Sequence, residues 1–370
     1  MFYTWHMDVA KIRLHNQHIS GPKCKTAEDV VRTLGAVQAQ DYNQALWAIG
    51  LRLKPDATVT DVERTLADRT IIRTWGMRGT LHFIVAEDAH WMRELLSANV
   101  LARMTPKVWQ YHGADQKMVD LAKSVFVKAL SSGKTLSRPA MLALLKQAGI
   151  PEDKQQSYFL LAYLSQTGLL CLGESKGGKQ TFALLDEWVA NPRKIAHTEA
   201  LALLATRFFT SHGPATVADF ANWSALKMPE AKTGLDVVKS KLIKENIDGK
   251  EYWLAPGSKP GNGVFLLPGY DEFVIGYKNR TAMFKQGVIP IATYNGMFYP
   301  TIVIDGQVVG LWKRIAKKSH LEIEIDPDAQ VKPELVEPHA KQLGHFFGLP
   351  TRMRIGRETR MKPQPKPSWR

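Results

Sequence analysis

Apolar side chains recur at helical spacing early in the chain and stop beside two glutamines. Thr26 can cap this helix, and Asp29 lies in its first turn. The apolar face of the helix consists of Val30, Val31, Leu34 and Val37. The pattern therefore predicts that the helix ends at Gln38, with Gln40 just beyond.

Gln38 and Gln40 lie two residues apart, at the end of this helix. On one helix such side chains point about 200° apart, so they converge only if the helix breaks between them. The segment Asp41-Tyr42-Asn43 offers such a break. The alternative is that one glutamine is solvated and the other makes an ordinary hydrogen bond at a helix end.

The segment that follows predicts two further helices and a strand pair. A helix over 44–53 stops at Pro55, and a helix over 60–68 begins at Thr60 with Glu63 completing a capping box. The segment 71–85 is rich in β-forming residues and carries glycines at its centre, which predicts a hairpin. Three helices and then a hairpin are the order of a winged-helix unit, and a helix over 86–101 follows it.

The same order of elements recurs twice. The second unit has predicted helices over 117–130, 139–147 and 155–166, then strands over 168–172 and 180–184 around a basic, glycine-rich turn. The third unit has predicted helices over 199–211, 216–223 and 230–245 and a strand over 252–254. Turn residues lie where a helix-turn-helix needs them, so three winged-helix motifs in tandem are predicted.

The composition changes after a proline- and glycine-rich linker at 256–263. Strands are predicted over 264–267, 273–276, 300–304, 308–313 and 320–325, with a helix over 333–347. Asp305-Gly306 is predicted to be a tight hairpin turn rather than part of a metal site. The fold class is therefore α+β, with a small C-terminal barrel or open sheet. The predicted divisions are 1–110, 111–195, 196–256, 264–350 and a basic tail over 351–370.

Length and composition restrict the class of protein. A chain of 370 residues with 45% hydrophobic residues holds several domains, and it has no apolar run of membrane-spanning length. The first residues lack the basic start and apolar block of a signal peptide. Cys24 and Cys171 form no disulfide framework or metal-binding spacing. We expect a cytoplasmic, nucleoid-associated monomer that uses no metal and no cofactor.

The net charge of +14 favours a polyanionic partner, of which nucleic acid is the commonest. Seven basic residues and one acidic residue lie between Arg352 and Arg370, so this tail carries +6 and the rest of the chain +8. The tail is predicted to be a basic arm that adds phosphate affinity independent of sequence. The alternative is a tail that only improves solubility.

The sequence contains no Gly-x-Ser-x-Gly, phosphate-loop or dinucleotide-binding motif. The hypotheses of a hydrolase and of an enzyme with a nucleotide cofactor therefore have no support from motifs of this kind. His82 lies on a predicted strand, where it either supports a site or packs as an ordinary buried histidine. Asp271 and Glu272 place two carboxylates together, with Asp271 a candidate supporting residue. Lys278 and Arg280 lie a few residues further along the sequence, where they either bind phosphates or form ion pairs with those carboxylates.

Four segments resemble the bacterial crosslink-unhooking DNA glycosylases, the azinomycin-resistance and YcaQ-type enzymes of the winged-helix superfamily. The segments are Val37 to Gln40, Arg73 to His82, Leu267 to Phe273 and Val303 to Lys313. The resemblance implies three tandem winged-helix motifs and a C-terminal β domain. It also implies that Gln38, Ala39 and Gln40 match the catalytic signature, Gln, an apolar residue, then Gln or Asp.

This resemblance implies a monofunctional glycosylase that acts on double-stranded DNA with alkylated or crosslinked guanine. Gln38 and Gln40 are then the expected catalytic residues. The expected DNA-binding residues are Arg78, Lys176, Lys179, Lys278, Arg280, Arg352 and Arg354. A carboxamide is a poor general base, so hydrolysis here requires a leaving group that departs easily. Guanine alkylated at N7 is cationic and meets that requirement.

The alternative function is a non-catalytic transcriptional regulator that uses the same three units to recognise DNA. Such a protein discriminates among sequences and leaves alkylated DNA intact. A scaffold role has no dedicated feature in the sequence. Release of a damaged base by the purified protein separates the first two functions.

Overall fold

The computed structural model describes residues 7–175, 180–284, 293–294, 296–326, 329 and 331–356. The protein has an α+β fold built from helices, two larger sheets and two small strand pairs. The predicted fold class is confirmed. The divisions of the chain drawn from the sequence stay predictions.

The first region contains the predicted helices and hairpin, with shifted boundaries. Its elements are α1 Val9–Asn16, α2 Ala27–Leu34, β1 Val37–Gln38, α3 Tyr42–Gly50, α4 Val59–Ala67, β2 Ile71–Trp75, β3 Leu81–Val85, α5 Ala89–Leu101 and α6 Pro106–Tyr111. The cap of α4 was wrongly predicted, because Thr58 and Asp61 form the capping box instead of Thr60 and Glu63. The first helix was predicted too long, because α2 ends at Leu34.

The glycine after Leu34 explains why α2 ends there. Gly35 has φ +83°, a left-handed conformation that glycine adopts without steric cost. The chain then leaves the helix axis and enters β1, which pairs antiparallel with β3. Gln38 is therefore part of a short strand, and the predicted helix end was four residues too late.

The second region follows the sequence prediction closely. Its elements are α7 Gln116–Leu130, β4 Leu136–Ser137, α8 Arg138–Gln147, α9 Lys154–Gln166, β5 Leu170–Leu172, β6 Thr181–Leu184 and α10 Leu185–Trp188. Ser137 caps α8, and Pro139 occupies its first turn, where a missing N–H is harmless. Strand β5 also pairs with β2 through Arg73 and Leu172, so the hairpins of the first two regions form one six-stranded sheet.

The third region has helices and a hairpin in the same order. Its elements are α11 His197–His212, α12 Val217–Ser224, α13 Met228–Val238, β7 Ile243–Ile247 and β8 Lys250–Leu254. The predicted helix over 230–245 was too long, because Ile243 already pairs with Leu254 in the hairpin. Asp248 and Gly249 both have positive φ at its turn. Asp-Gly is a strong hairpin signal in the sequence that the helical prediction overlooked.

The C-terminal region is an open sheet covered by one long helix. Its elements are β9 Val264–Leu267, α14 Glu272–Ile275, β10 Thr293–Tyr294, β11 Met297–Phe298, β12 Thr301–Ile304, β13 Gln307–Ala316, β14 Leu321–Ile325, α15 Pro333–Phe347 and β15 Thr351–Ile355. Five of the strands pair in the order β15-β14-β13-β12-β9, and within the described residues they form no closed barrel. The strand predicted over 273–276 is wrong, because this segment forms the short helix α14.

Two apolar cores hold these regions together. The larger core runs from the first region through α11 and α12 to the C-terminal sheet and α15. The second region has a core of its own, centred on Phe126, Met141 and Leu160. Burial of this apolar surface is the main stabilising contribution to the fold. The larger core matters for function because β1 lies where the first region, the third region and the C-terminal region meet.

Candidate active site

Strand β1 brings Gln38 and Gln40 to the same side of the chain. Gln38 is the register partner of His82 in β3, and the Ala39 N–H continues the pairing by donating to the Leu81 carbonyl at 2.7 Å. In an extended chain, side chains two residues apart face the same side. Gln38 therefore ends β1 and Gln40 lies two residues beyond it, with no helix break between them. Both amide oxygens accept from the short segment between Arg78 and Leu81.

Donors from the β2–β3 connection hold both amide oxygens. Arg78 donates to Gln38 Oε1 at 2.9 Å, and the Leu81 N–H donates to Gln40 Oε1 at 3.1 Å. An arginine and a backbone N–H can only donate, so each amide must turn its oxygen toward them. Neither amide nitrogen has a hydrogen-bond partner among the residues that the structure describes.

The backbone of this segment is also fixed from two directions. The Gln38 N–H donates to Glu272 Oε1 at 3.0 Å. The Arg73 guanidinium donates to the Ala39 carbonyl through Nε at 2.9 Å and through a terminal nitrogen at 2.6 Å. Burial lowers the pKa of Arg73 to about 10, which leaves it charged at neutral pH. The segment from Gln38 to Gln40 is thus held at its main chain and at both side chains.

Arg78 is the cation nearest Gln38. It has φ +59°, a left-handed conformation that is uncommon outside glycine, and its guanidinium also donates to the Trp223 carbonyl. Burial lowers the pKa of Arg78, while the charge of Glu272 opposes that shift. Burial, together with the charge of Arg78, lowers the pKa of Arg280. Two guanidinium groups therefore lie close enough for their charges to interact beside the glutamines.

His82 is fully buried behind this face. Its Nδ1 lies 2.9 Å from the Thr80 carbonyl oxygen, and its Nε2 has no partner among the described residues. Burial, reinforced by the charge of Arg78, lowers the pKa of His82 to about 4. The imidazole is therefore neutral at neutral pH and supports the site through packing and position.

The predicted supporting carboxylate Asp271 has a different role from the one expected. Both of its carboxylate oxygens accept from Arg52, each at 2.8 Å, and both side chains are fully buried. This pair joins α14 to α3, and Asp271 also caps α14 by accepting from the Phe273 N–H. The contacts of Asp271 within the described residues therefore hold the fold together, and none of them is a hydrogen bond to either glutamine.

Glu272, the adjacent residue, is the carboxylate that reaches the site, and the sequence analysis did not single it out. Its oxygens accept from the Gln38 N–H and from Trp223 Nε1 at 2.9 Å. Two neighbouring acidic residues in one segment carry no local signal that tells which of them points toward β1. That choice depends on partners that lie 49 and 234 positions away in the sequence.

The predicted DNA-binding residues lie in several parts of the surface. Lys278 is exposed, while Arg280 is half-buried over the Phe298 ring and donates to the Val274 carbonyl at 2.8 Å. Arg352 is exposed on β15. Arg354 is paired with Glu322 and Glu324, which reduces its value for binding phosphate. Lys176 and Lys179 lie outside the described residues.

The described part of the chain gives little support for a metal site, a reactive thiol or a membrane-spanning helix. It contains no group of three or more histidine, cysteine or acidic side chains arranged to bind a metal ion. Cys24 and Cys171 are buried free thiols, and burial raises the pKa of both, to about 11 for Cys24. Among the described helices, none has the length and apolar character required to cross a membrane.

The chain belongs to the AlkZ-like DNA glycosylases, because the family model for "DNA glycosylase AlkZ-like" matches residues 31–346. Enzymes of this class cleave the bond between a base and its deoxyribose. One relative, the interstrand DNA cross-link repair glycosylase of Streptomyces sahachiroi, is 27% identical over 358 residues, which cover 91% of this chain and 95% of the relative.

A solved structure, the Streptomyces sahachiroi DNA glycosylase AlkZ, has a similar fold. It matches with a TM-score of 0.76 and 24% sequence identity, covering 94% of this chain and 98% of that chain. The family expected from the four sequence segments is therefore confirmed.

Proposed function

We propose that this DNA glycosylase excises guanine alkylated at N7 from double-stranded DNA and unhooks interstrand crosslinks, with Gln38 and Gln40 positioning the attacking water. The observation that supports this most is the arrangement of the two amides. Both amide oxygens accept from the segment between Arg78 and Leu81, and a fixed donor orients each of them. The relative from Streptomyces sahachiroi, named for interstrand cross-link repair, supports the choice of lesion.

The site suits a base that leaves without first being protonated. Among the described residues that hydrogen-bond to either glutamine, the one carboxylate is Glu272, and both of its oxygens are occupied. Glycosidases with neutral leaving groups need a carboxylic acid to protonate the departing oxygen. Guanine alkylated at N7 already carries a positive charge and departs as a neutral base, so no acid is needed.

The amide oxygens supply what remains necessary for hydrolysis. Each carbonyl oxygen has two lone pairs, and Arg78 or the Leu81 N–H occupies one of them. The other lone pair can accept a hydrogen from water and face the positive charge that develops on the sugar. Because both oxygens are already fixed, they need not reorganise as the reaction proceeds.

Cationic side chains beside the glutamines would hold the DNA backbone. Lys278 is exposed and Arg280 lies near enough to Arg78 for their charges to interact, and the basic tail adds charge that does not depend on sequence. We propose that one copy of the chain binds one duplex lesion.

The test is base release from a duplex that carries one N7-methylguanine, measured under single-turnover conditions. Gln38→Ala and Gln40→Ala should each lower the rate at least about tenfold, because each removes one fixed oxygen from the water site. On a duplex with a guanine–guanine mustard crosslink, both variants should again release the base more slowly than wild type.

Gln110→Ala is the matched control, because Gln110 is an exposed glutamine outside the site. Melting temperatures would show that all three variants fold. Rates equal to wild type in both Gln38→Ala and Gln40→Ala would refute the assignment. Tight binding to particular sequences without any base release would instead favour a DNA-binding regulator.

A further inference from the structure

Glu272 is a buried carboxylate that connects three parts of the chain at the catalytic strand. Its side chain is 1% exposed. Oε1 accepts from the Gln38 N–H at 3.0 Å, and Oε2 accepts from Trp223 Nε1 at 2.9 Å. His212 Nε2 lies 3.6 Å from Oε2. Burying a charged group is costly unless it is paired and hydrogen-bonded, so this position requires an explanation.

These contacts close a ring of four hydrogen bonds around Gln38. Glu272 accepts from the Gln38 N–H, and Gln38 Oε1 accepts from Arg78. Arg78 donates to the Trp223 carbonyl, and Trp223 Nε1 donates back to Glu272. Hydrogen bonds joined in such a network reinforce one another in a low-dielectric interior. Each member of the ring thus restricts the positions open to the Gln38 amide.

The ring needs a negative charge at Glu272. Burial alone would raise the pKa of this carboxyl, but the neighbouring His212 and the charge of Arg78 outweigh it, and the pKa lies below its ordinary value. Glu272 is therefore ionised at neutral pH, and its charge helps to keep Arg78 protonated. A neutral amide would offer one oxygen to the two N–H donors and leave Arg78 without its counter-charge.

We infer that Glu272 is a positioning residue of the glycosylase: it holds Gln38 in the orientation that the attacking water requires. It acts through Gln38, Arg78 and Trp223 and does not touch the substrate. This inference rests on the proposed role of Gln38. The same ring ties the third region, through α12, to the catalytic strand of the first region.

A double-mutant cycle tests this role. Glu272→Gln should lower the single-turnover rate of base release about tenfold in an otherwise wild-type enzyme. In a Gln38→Ala background the same substitution should cost less than about twofold, because the side chain that Glu272 positions is already absent. The dissociation constant for undamaged duplex should stay unchanged, since Glu272 does not contact DNA.

Asp88→Asn is the matched control. Asp88 is also a fully buried carboxylate that accepts from a tryptophan, Trp91, and pairs with a buried arginine, Arg207, yet it makes no contact with Gln38. Asp88→Asn should lower the melting temperature and leave the rate of the folded enzyme unchanged. If Glu272→Gln does not fold, Trp223→Phe opens the same ring by removing the Nε1 donor and replaces it in the cycle, with Asp88→Asn still serving as the control for lost stability.

The possible outcomes distinguish a failure of the inference about Glu272 from a failure of the proposed function of Gln38. An equal loss of rate from Glu272→Gln in both backgrounds would mean a general structural role and overturn the inference. The inference would also be overturned if Glu272→Gln releases the base at the wild-type rate while Gln38→Ala is slow. If Gln38→Ala is itself as fast as wild type, the proposed function fails first and the inference fails with it.

Discussion

His82 shows how burial fixes the protonation state of a single side chain near the active site. The ring is enclosed on all sides, and Arg78 lies close enough to oppose a second positive charge. Its pKa of about 4 compares with an ordinary 6.5, so the folded protein takes up this proton only in acid. An unfolded chain takes up the same proton near pH 6.5.

This difference predicts a loss of stability in mild acid. A histidine with a lowered pKa contributes stability that is fully present above the unfolded pKa and is lost as the pH falls toward the folded value. The melting temperature should therefore fall between about pH 6.5 and pH 4, with His82 accounting for up to about 3 kcal/mol of the free energy of unfolding. Melting curves across this range measure the effect.

The control is His82→Asn, which keeps a donor for the Thr80 carbonyl but has no titrating ring. Its melting temperature should depend less steeply on pH than that of wild type. Burial also lowers the pKa of His212, so the variant should retain part of the slope. Identical slopes for the two proteins would contradict the assignment to His82.

At the scale of elements, the transition from α2 to β1 decides where the two glutamines proposed to be catalytic lie. Gly35 ends α2 in a left-handed conformation, and its Cα faces the Trp223 ring. A Cβ built at this position would lie 3.1 Å from the Trp223 ring. The turn therefore joins the entry of β1 to the same tryptophan that contacts Glu272.

Gly35→Ala should destabilise the protein and slow base release. The left-handed conformation alone should cost about 1 kcal/mol of the free energy of unfolding, and the close contact with Trp223 should add to it. The rate should fall because Gln38 lies only three residues beyond. Denaturant unfolding and single-turnover rates measure the two effects.

Gly257→Ala provides the comparison, because Gly257 has φ +77° and open space where a Cβ would lie. It should show the conformational cost without the contact and without any change in rate. Equal destabilisation and equal rates for the two alanine variants would show that the Trp223 contact has no effect on β1.

At the scale of the whole molecule, we expect net charge to govern the affinity of the protein for DNA. The chain carries +14, and residues 357–370 contain five basic residues and one acidic residue. Neutralising phosphates releases counterions, so affinity for duplex DNA should fall steeply as salt rises. Residues 357–370, which lie outside the described residues, therefore contribute +4 of this net charge.

Removing residues 357–370 should make the affinity for undamaged duplex less dependent on salt. The slope of log K against log salt should become shallower by at most about 4, because up to four net charges are lost. The rate at saturating DNA should remain that of wild type. A chain of unchanged length with the five basic residues replaced by serine should behave in the same way; a slope equal to wild type would show that the tail does not contact phosphates.

Local sequence patterns determined much of the architecture. Helices such as α9 and α15 follow from apolar spacing, because that spacing fixes which face of a helix can be buried. The repeated order of helices and hairpin follows from the same spacing combined with turn residues. Two errors came from signals within a few residues that were given too little weight: the glycine after Leu34 and the Asp-Gly pair at the turn after β7.

Other features depend on partners distant in the sequence. The segment after Asp271 has β-forming residues, yet it is helical because Asp271 caps it and binds Arg52, 219 positions away. The sequence by itself determined the family, the α+β class and the two glutamines of interest. Only the tertiary structure decided that Glu272 rather than Asp271 contacts β1, because a buried charge takes its position from the groups that surround it, and those groups come from two other regions of the chain.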